Sequence, residues 1–582
     1  MRYLSRLELV GSLFVFAGLF SACSFVYDLS ADQCELNADC DALGGEFEGR
    51  ECRAGVCVPG NGPTGGTGGM GSGGCKSTSE CLDDEKNFGF TACIDGACVP
   101  LVDADAHCPL VVPSDPQQLE EVLRQPGEPI IFGSFGPINQ GLHGVRTRNY
   151  DMAISEFNEE TSGLPGPSGR RGLVAVVCET QTDPEESRER LSKSMDHLIQ
   201  KLKVPGVIPM MYPDDLQFEF ERELQRDADK TPLFLSPLDS DSTLLDLPAD
   251  NGLLWHLLPS GLEIALPYKG LLARALGALG SLPLEEPARI ALITTQDNRL
   301  CEDMRTIVVD PNKGIVFNGG TTEENGPESF QEFFIRTTDS PTELAPTVDA
   351  LLEFRPHVII SLTTEDFFEG IYTSLESQWN AEAGTAPRPF YLLSPYHFVS
   401  PFLDSRLATN QLRSRIAGVN AAANPNPSLY SKYLSRFKVA YASEMFPSYD
   451  GYENFYDAAY YLIYSAAAVA SNTAKLTGAD LARGMRRVTD MGSSQVYGVG
   501  VEQISSALQA LQFGSIRLDG TMGPPDFNPK GGRATAGSVW CVDASDGYRS
   551  DVLRYDTATG ELVLGNGASG NQLDELPCAA EL

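Results

Sequence analysis

Apolar and polar positions alternate along residues 130–213 in the order expected for strand, helix, strand, helix and strand. The apolar run at 130–133 ends in the turn-forming segment 134–137. Further apolar runs at 173–177 and 206–211 predict two more strands. After the first run, apolar side chains recur three or four positions apart, which predicts a helix, at Tyr150, Ile154 and Phe157. This segment therefore predicts the start of an α/β domain.

The start of the second helix is marked by its capping residues. Asp183 suits the N-cap, Pro184 suits the first helical position, and Glu186 completes a capping box. Apolar residues at helical spacing predict the buried face of this helix, at Leu191, Met195, Leu198 and Leu202.

The alternation continues to residue 542, so the pattern predicts a large α/β protein. Capping boxes at 340–343 and 477–480 predict two helix starts, and an apolar stripe predicts a long helix over 452–470. Further strands are predicted at 232–235, 288–295, 358–362, 390–393, 415–419 and 537–542. We interpret the run at 288–295 as the first strand of a second lobe.

The order of these elements resembles the type I periplasmic solute-binding proteins, the family of the branched-chain amino-acid-binding proteins. The resemblance extends over about 128–547 and includes 456–460, which looks like the late helix of the family. It implies an α/β fold of two Rossmann-like lobes joined by several hinge crossings. The implied boundaries are 128–260 with about 413–495 for lobe 1, 261–412 with about 496–560 for lobe 2, and 561–582 for the C-terminal tail.

The N-terminus resembles a bacterial lipoprotein signal. Arg2 and Arg6 precede an apolar run at 9–20, and the chain then reads Phe-Ser-Ala-Cys at 20–23. The resemblance implies a signal peptide over 1–22 and lipidation of Cys23; the alternative is an ordinary secretory signal. We therefore expect a lipid-anchored protein of the cell envelope, on the periplasmic or cell-surface side, with the outer membrane favoured over the inner.

A duplicated cysteine pattern follows the signal. Two groups of four cysteines share the spacings 6, 12 and 5, which predicts two small disulfide modules at 23–58 and 75–101. The spacing lacks the C-x-x-C pairs of zinc sites, and the three possible pairings in each module stay open. A Gly-rich linker at 59–74 suggests that the modules form a stalk; partner binding is the alternative. The predicted disulfide cysteines are Cys34, Cys40, Cys52 and Cys57, then Cys75, Cys81, Cys93 and Cys98.

The remaining cysteines lie in or beyond the connector at 102–127. Cys541 and Cys578 are predicted to form a disulfide that ties the tail to lobe 2. With Cys23 lipidated, Cys108, Cys178 and Cys301 leave an odd number, so we expect at least one free thiol.

Candidate ligand residues in lobe 1 follow from the topology of open α/β sheets, in which ligands lie outside the carboxyl ends of strands. The segment 236–240 matches the segment that holds the ligand's carboxylate in the amino-acid-binding proteins, although Leu238 and Asp239 replace small residues. The rule selects Ser134, Phe135, Tyr212, Asp214, Ser236, Asp239, Ser240 and Ser242.

In lobe 2 the chain departs from the residues that the resemblance implies. The segment 394–396 stands where an acidic residue usually pairs with a ligand ammonium, and Arg299 stands near the place of a tyrosine-glycine pair. Glu365 or Asp366 is a candidate substitute for the missing carboxylate. Tyr396 or Phe367 is a candidate to stack on an apolar or aromatic ligand, with core or rim packing as the alternative.

The residues favour binding over catalysis. The chain lacks a Gly-x-Ser-x-Gly elbow, a Gly-Lys-Ser/Thr phosphate loop and a His-Glu-x-x-His motif, and its six histidines are scattered. A net charge of −36 disfavours nucleic acid. We therefore predict a non-catalytic binding protein with no cofactor and no metal.

The resemblance implies the solute receptor of an ABC-type uptake system for amino acids or other small polar or organic solutes. Its partners would then be a small-molecule ligand and an ABC permease. The alternative is an envelope-tethered sensor or scaffold that uses the same fold to regulate another cell-envelope protein. The sequence leaves ligand identity and oligomeric state open.

Overall fold

The chain divides into two compact units, Met1–Gly73 and Gly74–Leu582. Cys23, Cys34, Cys40 and Cys578, together with the signal segment, lie outside the described residues. The computed structural model describes residues 50–53, 56–59, 74–83, 89–136, 141–179, 184–211, 213–238, 241–247, 252–279, 286–364, 367–382, 386–398, 410–421, 427–441, 453–542 and 548–565.

Both cysteine modules contain the same kind of β-hairpin. In the first unit, Arg50–Arg53 pairs antiparallel with Val56–Pro59, and Cys52 lies opposite Cys57. In the second module, Thr91–Ile94 pairs antiparallel with Ala97–Pro100, and Cys93 lies opposite Cys98. The equal register is what a sequence duplication predicts.

The second module pairs its first cysteine with the third and its second with the fourth. Disulfides join Cys75 to Cys93 and Cys81 to Cys98. The short helix Thr78–Leu82 carries Cys81 towards the hairpin, and the Thr78 hydroxyl accepts a hydrogen bond of 3.2 Å from the Cys93 N–H. The structure thus selects one of the three pairings that the sequence left open.

The second module is docked on lobe 1, which differs from the stalk expected from the sequence. Its Ala92 and Leu101 belong to the same hydrophobic core as the lobe 1 strands. The His197 imidazole contacts the Leu101 carbonyl at 3.0 Å, and Arg124 forms a 2.8 Å ion pair with Asp83. Burial of these apolar side chains against the lobe is the physical reason, since a free module would expose them.

The connector is also part of lobe 1. Its strand Leu110–Val112 pairs antiparallel with Leu173–Glu179, and its helix Pro116–Leu123 is capped by Asp115. A disulfide joins Cys108 to Cys178, and Cys301 is a free, buried thiol. The expectation of a free thiol is therefore confirmed, and the structure identifies it.

Lobe 1 is built on a seven-stranded sheet that is parallel except for one edge strand. Helices cover both faces: the Phe220 and Phe234 rings pack 5.3 Å apart on one side, and Leu462 lies against Gly206 on the other. The strand order is Gly532–Arg533, Leu254–Pro259, Leu233–Ser236, Gly206–Ile208, Ile130–Gly136, Leu173–Glu179 and Leu110–Val112. The main helices are Gly141–Thr161, Pro184–Asp196 with its continuation His197–Lys201, Pro213–Asp227, Pro427–Ala440, Glu453–Ala470, Gly478–Val488 and Ile504–Leu511.

Lobe 2 is built on an eight-stranded sheet whose first five strands are parallel. Alternate residues of Ile290–Thr295 and Val358–Leu362 enter two separate cores, so both faces of the sheet are covered. The strand order is Phe330–Ile335, Ile290–Thr295, Val358–Leu362, Phe390–Leu393, Ile416–Asn420, Ser538–Val542, Tyr548–Asp556 and Glu561–Leu564. The main helices are Tyr268–Leu279, Arg299–Val308, Pro341–Phe354 and Ser374–Glu382, preceded by Phe368–Thr373.

The remaining described elements are short. They are the helices Ser242–Asp246, Gly261–Ile264, Thr322–Asn325, Pro395–His397, Asn410–Arg413 and Val501–Gln503, and the strand pairs Leu164–Gly166 with Gly169–Arg171 and Val496–Gly498 with Arg517–Asp519. No helix among the described residues is long and apolar enough to cross a membrane.

The chain passes between the two sheets three times. It leaves lobe 1 after Leu254–Pro259, returns after Ile416–Asn420, and leaves again between Gly532–Arg533 and Ser538–Val542. Two covered, largely parallel sheets with several crossings confirm the predicted two-lobed α/β fold.

Three strands lie in a different part of the fold from the one that the expected domain boundaries assign to them. Ile416–Asn420 lies in the lobe 2 sheet because it pairs with Phe390–Leu393, although 413–495 was expected in lobe 1. Gly532–Arg533 lies in the lobe 1 sheet because it pairs with Leu254–Pro259. Glu561–Leu564 extends the lobe 2 sheet into the expected tail. Cys541 is disulfide-bonded.

Candidate functional site

The carboxyl ends of three neighbouring strands meet at one edge of the lobe 1 sheet. Ile208 lies beside Ser134, and the strand that ends at Ser236 pairs with the other side of Gly206–Ile208. This register places the segments that follow these strands at one edge of the sheet, as the sequence predicts. Ser134, Phe135 and Ser236 are nevertheless buried.

The Ser134 side chain lies inside lobe 1. Ser134 and Tyr150 line a cavity of about 10 Å³ between the sheet and the helix Glu453–Ala470. Burial raises the pKa of the Tyr150 phenol far above its usual range, so the group is a neutral hydroxyl. Ser134 and Phe135 thus stand at the expected edge of the sheet, but neither side chain is exposed to solvent there.

The other predicted ligand residues fall in different settings. Asp214 is exposed in the first turn of the helix Pro213–Asp227, where a carboxylate is favoured by the helix dipole. The half-buried Tyr396 accepts a 3.1 Å hydrogen bond from the Asn298 side chain. Tyr212, Asp239, Ser240 and Glu365 lie outside the described residues.

The carboxyl edge of the lobe 2 sheet carries a buried network of neutral polar groups, which the sequence did not predict. The Ser394 hydroxyl donates to the Thr363 carbonyl at 2.6 Å and lies 3.1 Å from the His397 Nδ1. The Ser361 and Thr363 hydroxyls are 2.9 Å apart. Burial lowers the pKa of His397 to about 3, so its imidazole is neutral near pH 7.

This network does not have the properties of a hydrolytic site. Ser394 and His397 are a hydroxyl and an imidazole in contact, but both are fully buried. An imidazole with a pKa of about 3 is a poor general base at neutral pH. The arrangement instead satisfies polar groups at the ends of two strands.

Two segments that follow carboxyl ends of strands contact each other across the lobes. The Ser242 N–H donates to one Asp303 oxygen at 3.0 Å, and the Ser242 hydroxyl donates to the other at 2.9 Å. Arg299 lies 3.3 Å from Asp303 and 3.6 Å from Asp241. We call these four residues the interlobe bridge. Because both segments follow parallel strands, the two carboxyl edges face each other.

The interlobe bridge places a carboxylate in a largely dry setting. Asp303 is only 3% exposed, and burial raises its pKa, while the Ser242 hydrogen bonds and the Arg299 guanidinium oppose that rise. Asp241 is the N-cap of the short helix Ser242–Asp246 and accepts the Thr243 N–H at 2.8 Å. Lobe 2 therefore supplies a carboxylate to Ser242, which lies two residues beyond the segment 236–240 that is expected to bind a ligand carboxylate.

Part of this bridge had a signal in the sequence. Arg299 stands where the resembled family often carries a tyrosine-glycine pair, and Ser242 is among the ligand residues predicted after the fourth strand. Asp303 is one helical turn beyond Arg299. Their contact with a segment about sixty residues away could not be read from local pattern, because it depends on how the lobes meet.

No protein-family model matches the chain, and no curated protein matches it. Several solved structures are similar. A leucine-binding protein of Thermotoga maritima is 12% identical, with 72% of this chain and 97% of that chain covered and a TM-score of 0.46. A substrate-binding protein of a Desulfitobacterium hafniense ABC transporter, in complex with Leu, is 16% identical, with 73% and 100% covered and a TM-score of 0.47.

A solute-binding protein of an ABC transporter from R. palustris, in complex with benzoate, is 11% identical, with 76% of this chain and 99% of that chain covered and a TM-score of 0.47. These likenesses leave the ligand open. The fold rests on the strand order and the three crossings within this chain.

Proposed function

We propose that this chain is a non-catalytic ligand-binding protein of the cell envelope, whose two lobes close on a small solute. One observation carries the proposal: two covered sheets face each other through their carboxyl edges and are joined by three crossings. Such connections permit hinge motion while keeping the lobes aligned. The carboxyl edge is where open α/β sheets bind ligands.

The proposed role is that of a solute receptor for an ABC-type uptake system. We propose amino acids or other small polar or organic solutes as ligands, and an ABC permease as the partner. Cys23 would carry the lipid anchor, with the outer membrane favoured over the inner. These features follow the resemblance of the chain to the type I solute-binding proteins.

The interlobe bridge narrows the ligand class within this proposal. The Ser242 N–H and hydroxyl already donate to Asp303, and Arg299 is close to both aspartates of the bridge. A ligand carboxylate that used the same donors would meet two buried negative charges. We therefore propose that a carboxylate ligand binds there only if Asp303 withdraws, so neutral or cationic solutes are favoured while the bridge is closed.

A thermal-shift screen of the secreted full chain carrying Cys23→Ala tests the proposal. A ligand that binds the folded protein stabilises it by about 2.7 kcal/mol at a concentration of one hundred times Kd, so Tm should rise with concentration. The screen would include amino acids, short peptides, amines and aromatic acids. Small-angle scattering with each hit should then show a more compact protein if the lobes close.

The alternative is an envelope-tethered sensor or scaffold, and the interlobe bridge is the observation that favours it. A cleft whose donors are held by the chain's own Asp303 needs no solute for the lobes to meet. If no small molecule raises Tm and crosslinking in the native envelope recovers one defined envelope protein, the receptor proposal is wrong and this alternative stands.

A further inference from the structure

A second cavity lies at the opposite, amino-terminal edge of the lobe 1 sheet. Its volume is about 290 Å³. The start of the strand Ile130–Gly136 and the segment 202–205 form its floor, and the second cysteine module covers it with Cys93, Ile94 and Asp95. The docking of the module on lobe 1 therefore creates this space. It is separate from the cleft between the carboxyl edges.

The cavity combines an apolar floor with a charged rim. Ile130, Ile199 and Leu202 are buried and line it. The exposed rim residue Lys475 pairs with Asp95 of the module, and Lys203 lies 3.8 Å from the same carboxylate. A mainly apolar pocket with a few placed polar groups is the usual form of a small-molecule site.

Arg171 is the buried charge in the wall of this cavity. It is 6% exposed, its Nε donates to the Glu128 carbonyl at 2.9 Å, and its Nη1 donates to the Thr473 carbonyl at 3.1 Å. Within the described part of the chain, Arg171 has no ion-pair partner and its Nη2 has no hydrogen bond. Burial lowers its pKa, and the nearby Glu128 carboxylate opposes that effect. A buried cation without a paired anion is costly, so the site is suited to receive a negative charge.

The charges of the cavity wall also favour a negatively charged ligand. The lining residues include four cations, Arg171, Lys203, Lys230 and Lys475, and two anions, Asp95 and Glu128. This local excess of positive charge stands in a chain of net charge −36. Lys230 is paired at 2.6 Å with Asp227, which leaves Arg171 as the group to which a ligand's charge would be directed.

We propose that this covered cavity binds an organic monocarboxylate with an apolar body. The carboxylate lies against the Arg171 guanidinium, and the apolar body packs on Ile130, Ile199 and Leu202. Since a water molecule occupies about 30 Å³ of liquid, the 290 Å³ volume accommodates about ten heavy atoms. A carboxylate accepts parallel hydrogen bonds from a guanidinium, which adds direction to the charge attraction.

Calorimetric titration of the unlipidated full chain with octanoate tests the proposal, with octan-1-ol as the neutral probe of the same length. Octanoate should bind, and Arg171→Gln should weaken it at least tenfold while leaving octan-1-ol unchanged. Arg170→Gln is the matched control, because Arg170 is the exposed neighbour on the same short strand. It should leave octanoate binding unchanged.

Two further variants test the location of the octanoate site independently of Arg171. Ile94→Trp enlarges a side chain of the covering module and should abolish octanoate binding without lowering Tm, even if Arg171→Gln proves unstable. Ser242→Ala, in the interlobe bridge, should leave octanoate binding intact. The proposal is overturned if octanoate fails to bind, if octan-1-ol binds as tightly, or if Ser242→Ala rather than Arg171→Gln removes binding, which would place octanoate in the cleft.

Discussion

At the carboxyl edge of the lobe 1 sheet, Asp241 lies 3.6 Å from Arg299 of lobe 2, and Ser242 donates hydrogen bonds to Asp303 of lobe 2. At the amino edge of the same sheet, the buried Arg171 faces a cavity and pairs with no carboxylate among the described residues. The carboxyl edge has the position expected of a ligand site, but the chain's own Asp303 holds its donors. The cavity at the amino edge has an excess of positive charge in its wall. Topology therefore locates a cleft, while charge balance decides what each site accepts.

The largest loss of stability is expected from removing the disulfide that joins the connector to the lobe 1 sheet. The Cys108–Cys178 disulfide closes a loop with a sequence separation of 70 residues. Cys108→Ala with Cys178→Ala should cost about 4 kcal/mol of unfolding free energy, because the unfolded chain gains that loop's entropy. Urea unfolding followed by tryptophan fluorescence measures it. Cys301→Ala, at the free buried thiol, is the control and should cost far less; equal losses would contradict the prediction.

Lowering the pH should destabilise the carboxyl edges of the two sheets more than the amino edge of the lobe 1 sheet. Burial lowers the pKa of His256 to about 4 and of His397 to about 3, so between pH 6.5 and 5 the unfolded chain binds protons that the folded chain does not. Stability must then fall as pH falls, by about 2 kcal/mol for each histidine. Asp457, whose pKa is raised to about 6 by burial, acts in the opposite direction and offsets about 1 kcal/mol.

Urea midpoints at pH 7 and pH 5 test this pH dependence. His397→Gln should reduce the difference between the two midpoints, because it removes one of the histidines that stay neutral in the folded chain. Hydrogen exchange would locate the effect: amides near Ser394 should lose protection at pH 5 before those near Arg171. Stability that is unchanged or rises on acidification would contradict the linkage.

Breaking the interlobe bridge should have a smaller effect on stability and a clear effect on shape. Asp303→Ala removes the acceptor of two Ser242 hydrogen bonds and leaves Arg299 near Asp241. We expect a loss of about 1–3 kcal/mol, because the two donors of the half-buried Ser242 lose their partner. The radius of gyration from small-angle scattering should increase as the lobes separate. Glu302→Ala, on the neighbouring helix position, is the control; an unchanged radius in Asp303→Ala would show that the bridge does not hold the lobes.

The smallest stability effect is expected at the rim of the covered cavity. Asp95 and Lys475 form an exposed ion pair, and such pairs contribute less than about 1 kcal/mol. Asp95→Asn should therefore leave Tm almost unchanged. It removes a negative charge from the cavity wall, so octanoate should bind two- to threefold more tightly at low salt, and the gain should fade at high salt. Weaker binding would indicate that Asp95 itself supports the ligand.

Much of the fold could be predicted from the sequence where the signal was local. The capping boxes at Ser340 and Thr477 are present in the structure, and the helices that follow begin where these boxes predict. The strand Phe390–Leu393 lies where its apolar run predicts. The strand Leu254–Pro259 was missed, because its Trp-His interruption hides the apolar run that pairing with two neighbours buries.

The candidate site was less predictable than the fold. The edge formed by Ser134 and Ser236 follows from strand order, but the inward direction of the Ser134 side chain depends on strand register and on the packing of Tyr150. The interlobe bridge joins Ser242 to Asp303 across two lobes, so neither residue carries a local signal of its partner.

The resemblance to the type I solute-binding proteins implied the two-lobed α/β class, and the sequence by itself determined the alternation of strands and helices and the duplicated cysteine spacing. These depend on apolar period, capping and residue spacing, which act over a few positions along the chain. Only the tertiary structure decided which cysteines pair, that the second module docks on lobe 1, that Asp303 bridges the carboxyl edges, and that Arg171 faces a covered cavity. Each of these depends on groups that folding brings together from distant positions, where burial and charge balance set the outcome.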